Sequence, residues 1–205
     1  MRATAAHSTV VFNDNSSCRF LDAGSFRKLI GVPVMAGPRQ VQVTREERSD
    51  GLFLRATHDG YASRFGVIHQ RTLMLHPEGS RIDGEDIFIG ARGDTLPDSA
   101  QDEFAVRFHL HPNIKANRLT DGHGVMLMLP NRDVWNFSAY EDRVEMEESV
   151  YLAGNDGPRR TIQIVIHGHA RKVPRVQWSF AHVSPAAPGP AAPRRGRGEE
   201  PQLPL

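Results

Sequence analysis

Phe104-Ala105-Val106-Arg107-Phe108-His109-Leu110-His111 is the stretch on which the fold turns. Its apolar and polar residues alternate one by one. In an extended strand, successive side chains leave on opposite faces. Phe104, Val106, Phe108 and Leu110 then line one face, and Ala105, Arg107, His109 and His111 the other. A helix would scatter both sets around its circumference, so the period of two marks a half-buried strand. Its apolar face needs a second layer to cover it.

The same reading works outward along the chain. Strands are predicted at 9–13, 41–48, 51–57, 64–76, 86–92, 104–111, 114–120, 123–130, 133–139, 143–152, 160–168 and 174–182. Turn signals separate them: Asp50-Gly51, Asp59-Gly60, Pro77-Glu78-Gly79, Asp83-Gly84, Asp121-Gly122 and Asn155-Asp156-Gly157-Pro158. Asp-Gly pairs supply the positive φ of tight hairpins. Val125-Met126-Leu127-Met128-Leu129 is apolar on both faces, which predicts a central strand covered on each side. Only 23–31 suggests a helical turn, with Phe26, Leu29 and Ile30 on one face, Ser25 as cap and Gly31 as stop. Many short strands and one helical turn predict an all-β, antiparallel β-sandwich or barrel.

The chain has 205 residues, enough for one larger all-β domain, assigned to 1–183. From Ser184 onward Pro, Ala, Gly and Arg dominate, and 184–205 is predicted to be a disordered tail. With 25 basic and 24 acidic residues, the net charge is +1, which gives no broad electrostatic reason for a nucleic-acid partner. No run of about 18 apolar residues exists to span a bilayer, and no signal-peptide core is read at the start. Cys18 is the single cysteine, so no internal disulfide forms; it reads as a small buried residue.

Ten histidines concentrate the chemistry. His58-Asp59-Gly60-Tyr61 offers either a base, an orienter and an acid, or simply a turn. Arg107, His109 and His111 share one strand face: a solvent stripe, a two-imidazole metal site needing a third ligand, or a contact to a carbohydrate carboxylate. His167 and His169 repeat that spacing near the domain end and read as structural. Trp135 and Trp178 read as core or semi-core residues. No glycine-rich phosphate loop, paired-cysteine zinc motif or Gly-x-Ser-x-Gly elbow is present.

Five strings, in order, resemble the C-terminal region of the heparinase II/III-like family. They are Arg2-Ala3-Thr4-Ala5-Ala6-His7-Ser8-Thr9, His58-Asp59-Gly60-Tyr61, Phe104-Ala105-Val106-Arg107-Phe108-His109-Leu110-His111-Pro112, Glu147-Glu148-Ser149-Val150-Tyr151 and Arg159-Arg160-Thr161-Ile162-Gln163-Ile164-Val165. The resemblance implies a polysaccharide lyase in which an N-terminal α/α-toroid precedes a C-terminal sandwich of the lyase supersandwich type. Such lyases cleave uronic-acid glycans by β-elimination. A base takes the C5 proton, an acid protonates the leaving oxygen, and a polar group offsets the uronate carboxylate.

On that resemblance the chain is the sandwich alone, incomplete at its N-terminus and inactive without the toroid: a truncated gene product, one half of a split gene whose toroid is encoded separately, or a relic. The expected partners are an acidic polysaccharide and that toroid, and the expected compartment is the cell envelope or periplasm. In some family members the position of His7 supplies a zinc ligand. Here its partners would precede Met1, and one imidazole does not hold zinc tightly, so no cofactor is expected to bind this chain firmly. No role carries over to His58, Tyr61, Arg107, His109 or His111; they remain substrate-binding candidates, and no catalytic residue is assigned. A non-enzymatic module binding acidic glycan through Arg107, His109 and His111 is the alternative, and a cupin-type metal-dependent enzyme is a third reading.

Overall fold

A computed structural model describes residues 3–20, 34–93, 95–98, 101–140, 144–152 and 157–183. Four strands form one sheet, in the order β1 (Val10–Phe12), β8 (Glu103–His109), β13 (Arg159–His169) and β12 (Val144–Tyr151). Eight form a second, in the order β4 (Val41–Arg48), β5 (Gly51–Tyr61), β6 (Val67–Leu75), β7 (Arg81–Gly90), β14 (Arg175–His182), β11 (Val134–Ala139), β10 (Gly124–Met128) and β9 (Lys115–Arg118). A short ribbon pairs β2 (Arg19–Phe20) with β3 (Val34–Ala36). Every pairing is antiparallel.

The two sheets close face to face over one core. Phe12, Phe104, Val106, Phe108, Ile164 and Ile166 come from the smaller sheet; Tyr61, Phe88, Val125, Phe137 and Trp178 come from the larger. Rings from opposite sheets meet directly, with Phe88 and Phe104 at 4.6 Å between centroids and Phe108 edge-on to Trp178 at 4.6 Å. Each buried aromatic ring contributes about 2–3 kcal/mol through lost water contact, and the tilted pairings add to this. The alternation in β8 does what its sequence asks: Phe104, Val106 and Phe108 are buried, while Arg107 and His109 leave on the other side.

Three expectations are corrected. Asp59-Gly60 is not a turn; β5 runs through it to Tyr61 with an irregularity in register. The Asp59 carboxylate accepts the Arg39 and Gln40 amides at 2.7 and 3.0 Å, which ties it to the strand alongside. The chain instead reverses at a single helical turn, Ala62–Phe65, closed by Gly66 at φ 67°. Asp83-Gly84 also lies inside a strand, β7, because the Trp178 ring occupies the place of a side chain there; a Cβ on Gly84 would sit 2.1 Å from Trp178 Cζ2. β10 is not covered on both faces: it is second from the sheet edge and its Met128 is exposed. The outer edge strand β4 is exposed at all eight positions. The helical turn expected at 23–31 and the tail expected at 184–205 lie outside the described residues.

Candidate functional site

Four neighbouring strands deliver a polar chain into the sandwich interior. Register sets His58 opposite His69, and Arg71 opposite Asp86. The Gly60 amide donates to His58 Nδ1 at 3.1 Å, so the proton of the neutral ring sits on Nε2. His58 Nε2 then donates to His69 Nδ1 (3.2 Å), and His69 Nε2 donates to Asp86 Oδ1 (2.7 Å). Asp86 also accepts Arg71 Nε (2.8 Å), Arg71 Nη2 (2.9 Å) and Trp178 Nε1 (2.9 Å). Asp86 is fully buried. Burial alone would raise its carboxyl, but the Arg71 guanidinium and the His69 hydrogen bond outweigh this and hold it well below the usual range. Burial, reinforced by neighbouring His69, lowers His58 to about 4. The chain reaches the segment that leads into β1 where Arg71 Nη1 donates to the Ser8 carbonyl at 2.7 Å.

His58 and Tyr61 therefore face the interior. His58 uses both ring nitrogens in that chain. The buried Tyr61 hydroxyl donates to the Val10 carbonyl at 2.8 Å, and burial pushes its pKa up. Cys18, expected to be buried, is half-exposed and lines an open cavity of about 760 Å³ with Ser17, Arg19 and Arg64.

The second polar region covers the outer face of the four-stranded sheet. Arg107 and His109 from β8 meet Gln163 and His167 from β13 and Glu147 and Ser149 from β12. Glu147 Oε2 accepts Arg107 Nη1 at 2.9 Å and Gln163 Nε2 at 3.0 Å; Oε1 accepts His167 Nε2 at 2.8 Å. Burial would raise the Glu147 carboxyl, but His167 and Arg107 more than offset this and lower it. His109 donates from Nε2 to the Ala5 carbonyl (3.0 Å), which leaves Nδ1 to accept Ser149 Oγ–H (2.8 Å). Burial lowers the pKa of His109, with the charge of Arg107 acting in the same direction. The His109 amide donates to Ser8 Oγ at 3.0 Å.

His111 lies just past the end of β8, its ring edge-on to Tyr151 at 4.9 Å between centroids. Beside it Arg159 pairs in register with Tyr151 and donates to Asn113 Oδ1. A continuous stripe thus runs from His111, Tyr151 and Arg159, past His109 and Ser149, to Arg107, Gln163 and Glu147, and ends at His167. Two buried atoms within it have no hydrogen-bond partner: Arg107 Nε and Gln163 Oε1. His169 turns instead to Asp102 at 3.1 Å, whose other oxygen is held by Arg171.

The described residues do not build a zinc site around His7. His7 is exposed, and both ring nitrogens of neighbouring His109 are engaged. His109 and His111 turn to different partners and share no ligand position. The metal-competent group among the described residues is Glu145, Glu147 and His167, which excludes His7. Sequence reasoning set His167 aside and missed the glutamates. The available signal was Glu145-Met146-Glu147, whose period of two puts both carboxylates on one face.

Comparison with known proteins sets this geometry in context. The family model described as "Heparinase II/III-like, C-terminal" matches residues 1–179. FtsZ-localized protein C of Caulobacter vibrioides is 31% identical over 187 residues, covering 87% of this chain and 31% of that protein. Heparan sulfate lyase HepC from Pedobacter heparinus superposes with a TM-score of 0.61 at 12% identity, over 88% of this chain and 24% of that one. The heparinase III BT4657 gene product gives a TM-score of 0.62 at 9% identity, over 89% and 24%. At such low identity the lyase structures speak for the fold, and the chain spans under a third of the length of each relative. Within described residues no helix is long and apolar enough to cross a membrane. With the sandwich formed and the family model spanning nearly all of it, the chain belongs to the heparinase II/III-like family as its C-terminal β-sandwich domain.

Proposed function

We propose that this chain is the non-catalytic sandwich of a lyase-type protein acting on an acidic, uronate-bearing glycan in the cell envelope or periplasm, with the proton-moving groups on a separate helical toroid domain. The observation that carries this is the stripe on the four-stranded sheet. Arg107 holds its guanidinium against Glu147 with its side chain 13% exposed, and the exposed end of the stripe sets the Tyr151 ring beside His111 and Arg159. A ring with an adjacent guanidinium and imidazole suits a sugar bearing a carboxylate: the ring packs on the sugar face, Arg159 offsets the charge and His111 offers a hydrogen bond. β-Elimination needs a base at C5 and an acid at the leaving oxygen. Within the described residues His58 and Tyr61 are occupied in the interior, so this reading assigns those roles to the other domain.

The test uses the purified chain, a heparan sulfate resin and an ultraviolet assay for unsaturated products. Salt-sensitive retention, reduced about tenfold by Arg107→Ala, is expected, with no product formed. Product from the chain alone would overturn the non-catalytic assignment, and absence of retention would overturn the glycan face. A second reading draws on the 31% identity to FtsZ-localized protein C, well above the 12% and 9% to the lyases. It makes the sandwich a module that localises its parent protein with FtsZ without glycan cleavage. Unsaturated product from the full-length parent protein rejects that second reading.

A further inference from the structure

We propose that Glu145, Glu147 and His167 form a binding site for a divalent ion of the zinc type on the outer face of the four-stranded sheet. One imidazole nitrogen and two carboxylate oxygens, one from each residue, lie within 4.8 Å of one another. That separation lets a single ion touch all three, and the mixed N/O set suits a borderline ion better than magnesium. The placement follows from local structure. The period of two in β12 puts Glu145 and Glu147 on one face, and antiparallel β13 brings His167 beside them.

Glu147 is already oriented as a ligand would be. Its Oε2 is fixed by Arg107 and Gln163, which leaves Oε1 turned towards His167 Nε2 at 2.8 Å. Ligating carboxylates are commonly held by such outer donors. A second observation points to the same place. Gln163 is 7% exposed, its amide is hydrogen-bonded to Glu147, and its Oε1 has no partner. Three protein ligands leave a fourth position for water. The floor beneath is dry, since Val165, in register between Glu145 and Arg107, is fully buried. On binding, the His167 ring proton moves from Nε2 to Nδ1, and the Nε2 lone pair faces the ion. None of this depends on the glycan reading, and His7 takes no part.

The experiment is calorimetric titration of the chelator-treated chain with zinc chloride alone. One saturable equivalent is expected, with magnesium binding much more weakly. Glu145→Gln and His167→Gln should each lower zinc affinity at least about tenfold, and His7→Ala should leave it unchanged. Glu145 is exposed and the His167 side chain is 45% exposed, so the metal-free variants should remain folded, His167→Gln losing only its contact to Glu147. Absence of stoichiometric zinc binding overturns the proposal. So does one-equivalent binding that survives in both variants or disappears in His7→Ala.

Discussion

The interior chain and the outer stripe are made of the same materials: histidines, one central arginine and one carboxylate that gathers donors. Asp86 takes hydrogen bonds from His69, Arg71 and Trp178, and Glu147 takes them from Arg107, Gln163 and His167. What separates them is completeness. Inside, both ring nitrogens of His58 and His69 are engaged and Asp86 is sealed from water. In the outer stripe Arg107 Nε and Gln163 Oε1 are unpartnered beneath the surface, and the glutamate above them is partly exposed. A satisfied buried network stabilises a fold, whereas an incomplete one at a surface is a place where something else can bind.

That contrast is open to measurement, and the largest effect belongs to the interior. Asp86→Ala leaves the Arg71 charge and the Trp178 and His69 donors without their acceptor in a dry core. A loss of about 3–5 kcal/mol is expected from denaturant unfolding; a loss below about 1 kcal/mol would mean that the interior chain is not what holds the sheets together. Acid comes next. His58 titrates near 4 in the folded chain and near 6.5 when unfolded, so the unfolded state gains its proton first as pH falls. Stability is full above about 6.5 and declines towards 4; after allowance for partial exposure, the loss is about 2 kcal/mol. Unfolding midpoints across that window should fall more steeply in the wild type than in His58→Gln, and parallel curves would refute the assignment.

The outer region should respond least. Arg107→Ala removes one of three donors to Glu147 and should cost about 1 kcal/mol, against the roughly tenfold loss of retention that the proposed glycan face predicts. Arg45→Ala breaks an exposed pair with Glu47 on the edge strand and should change stability by less than about 0.5 kcal/mol. If the two substitutions destabilise equally, the stripe carries no more weight than an ordinary charged surface.

Much of the architecture was readable from residue order. The twelve strand spans predicted from alternation each correspond to a strand, and 41–48 coincides end to end with β4. The failures were local signals overruled by distant contacts. Asp83-Gly84 has the composition of a hairpin turn, yet Gly84 is there because the Trp178 ring lies over it. Asp59-Gly60 is drawn into β5 by amides 19 and 20 residues earlier. β2 and β3 are too short to carry a period. For the site, the common face of Arg107 and His109 followed from spacing alone. Glu147 did not, because it meets Arg107 from 40 residues away. Asp86 was least legible: it opens the predicted strand 86–92 just behind the acidic Asp83-Gly84-Glu85, and only the fold shows that its carboxylate is buried.

Ser8 has a consequence for any attempt to vary the two regions separately. Its carbonyl is fastened to Arg71 and its hydroxyl to the His109 amide, while Ala5, three residues earlier, secures the His109 ring. One short N-terminal segment is therefore a shared hinge pin. Loosening it from the core side withdraws a support from His109 on the far surface. Damage confined to the inside of the sandwich will register first as a displaced His109 outside it, well before the protein unfolds.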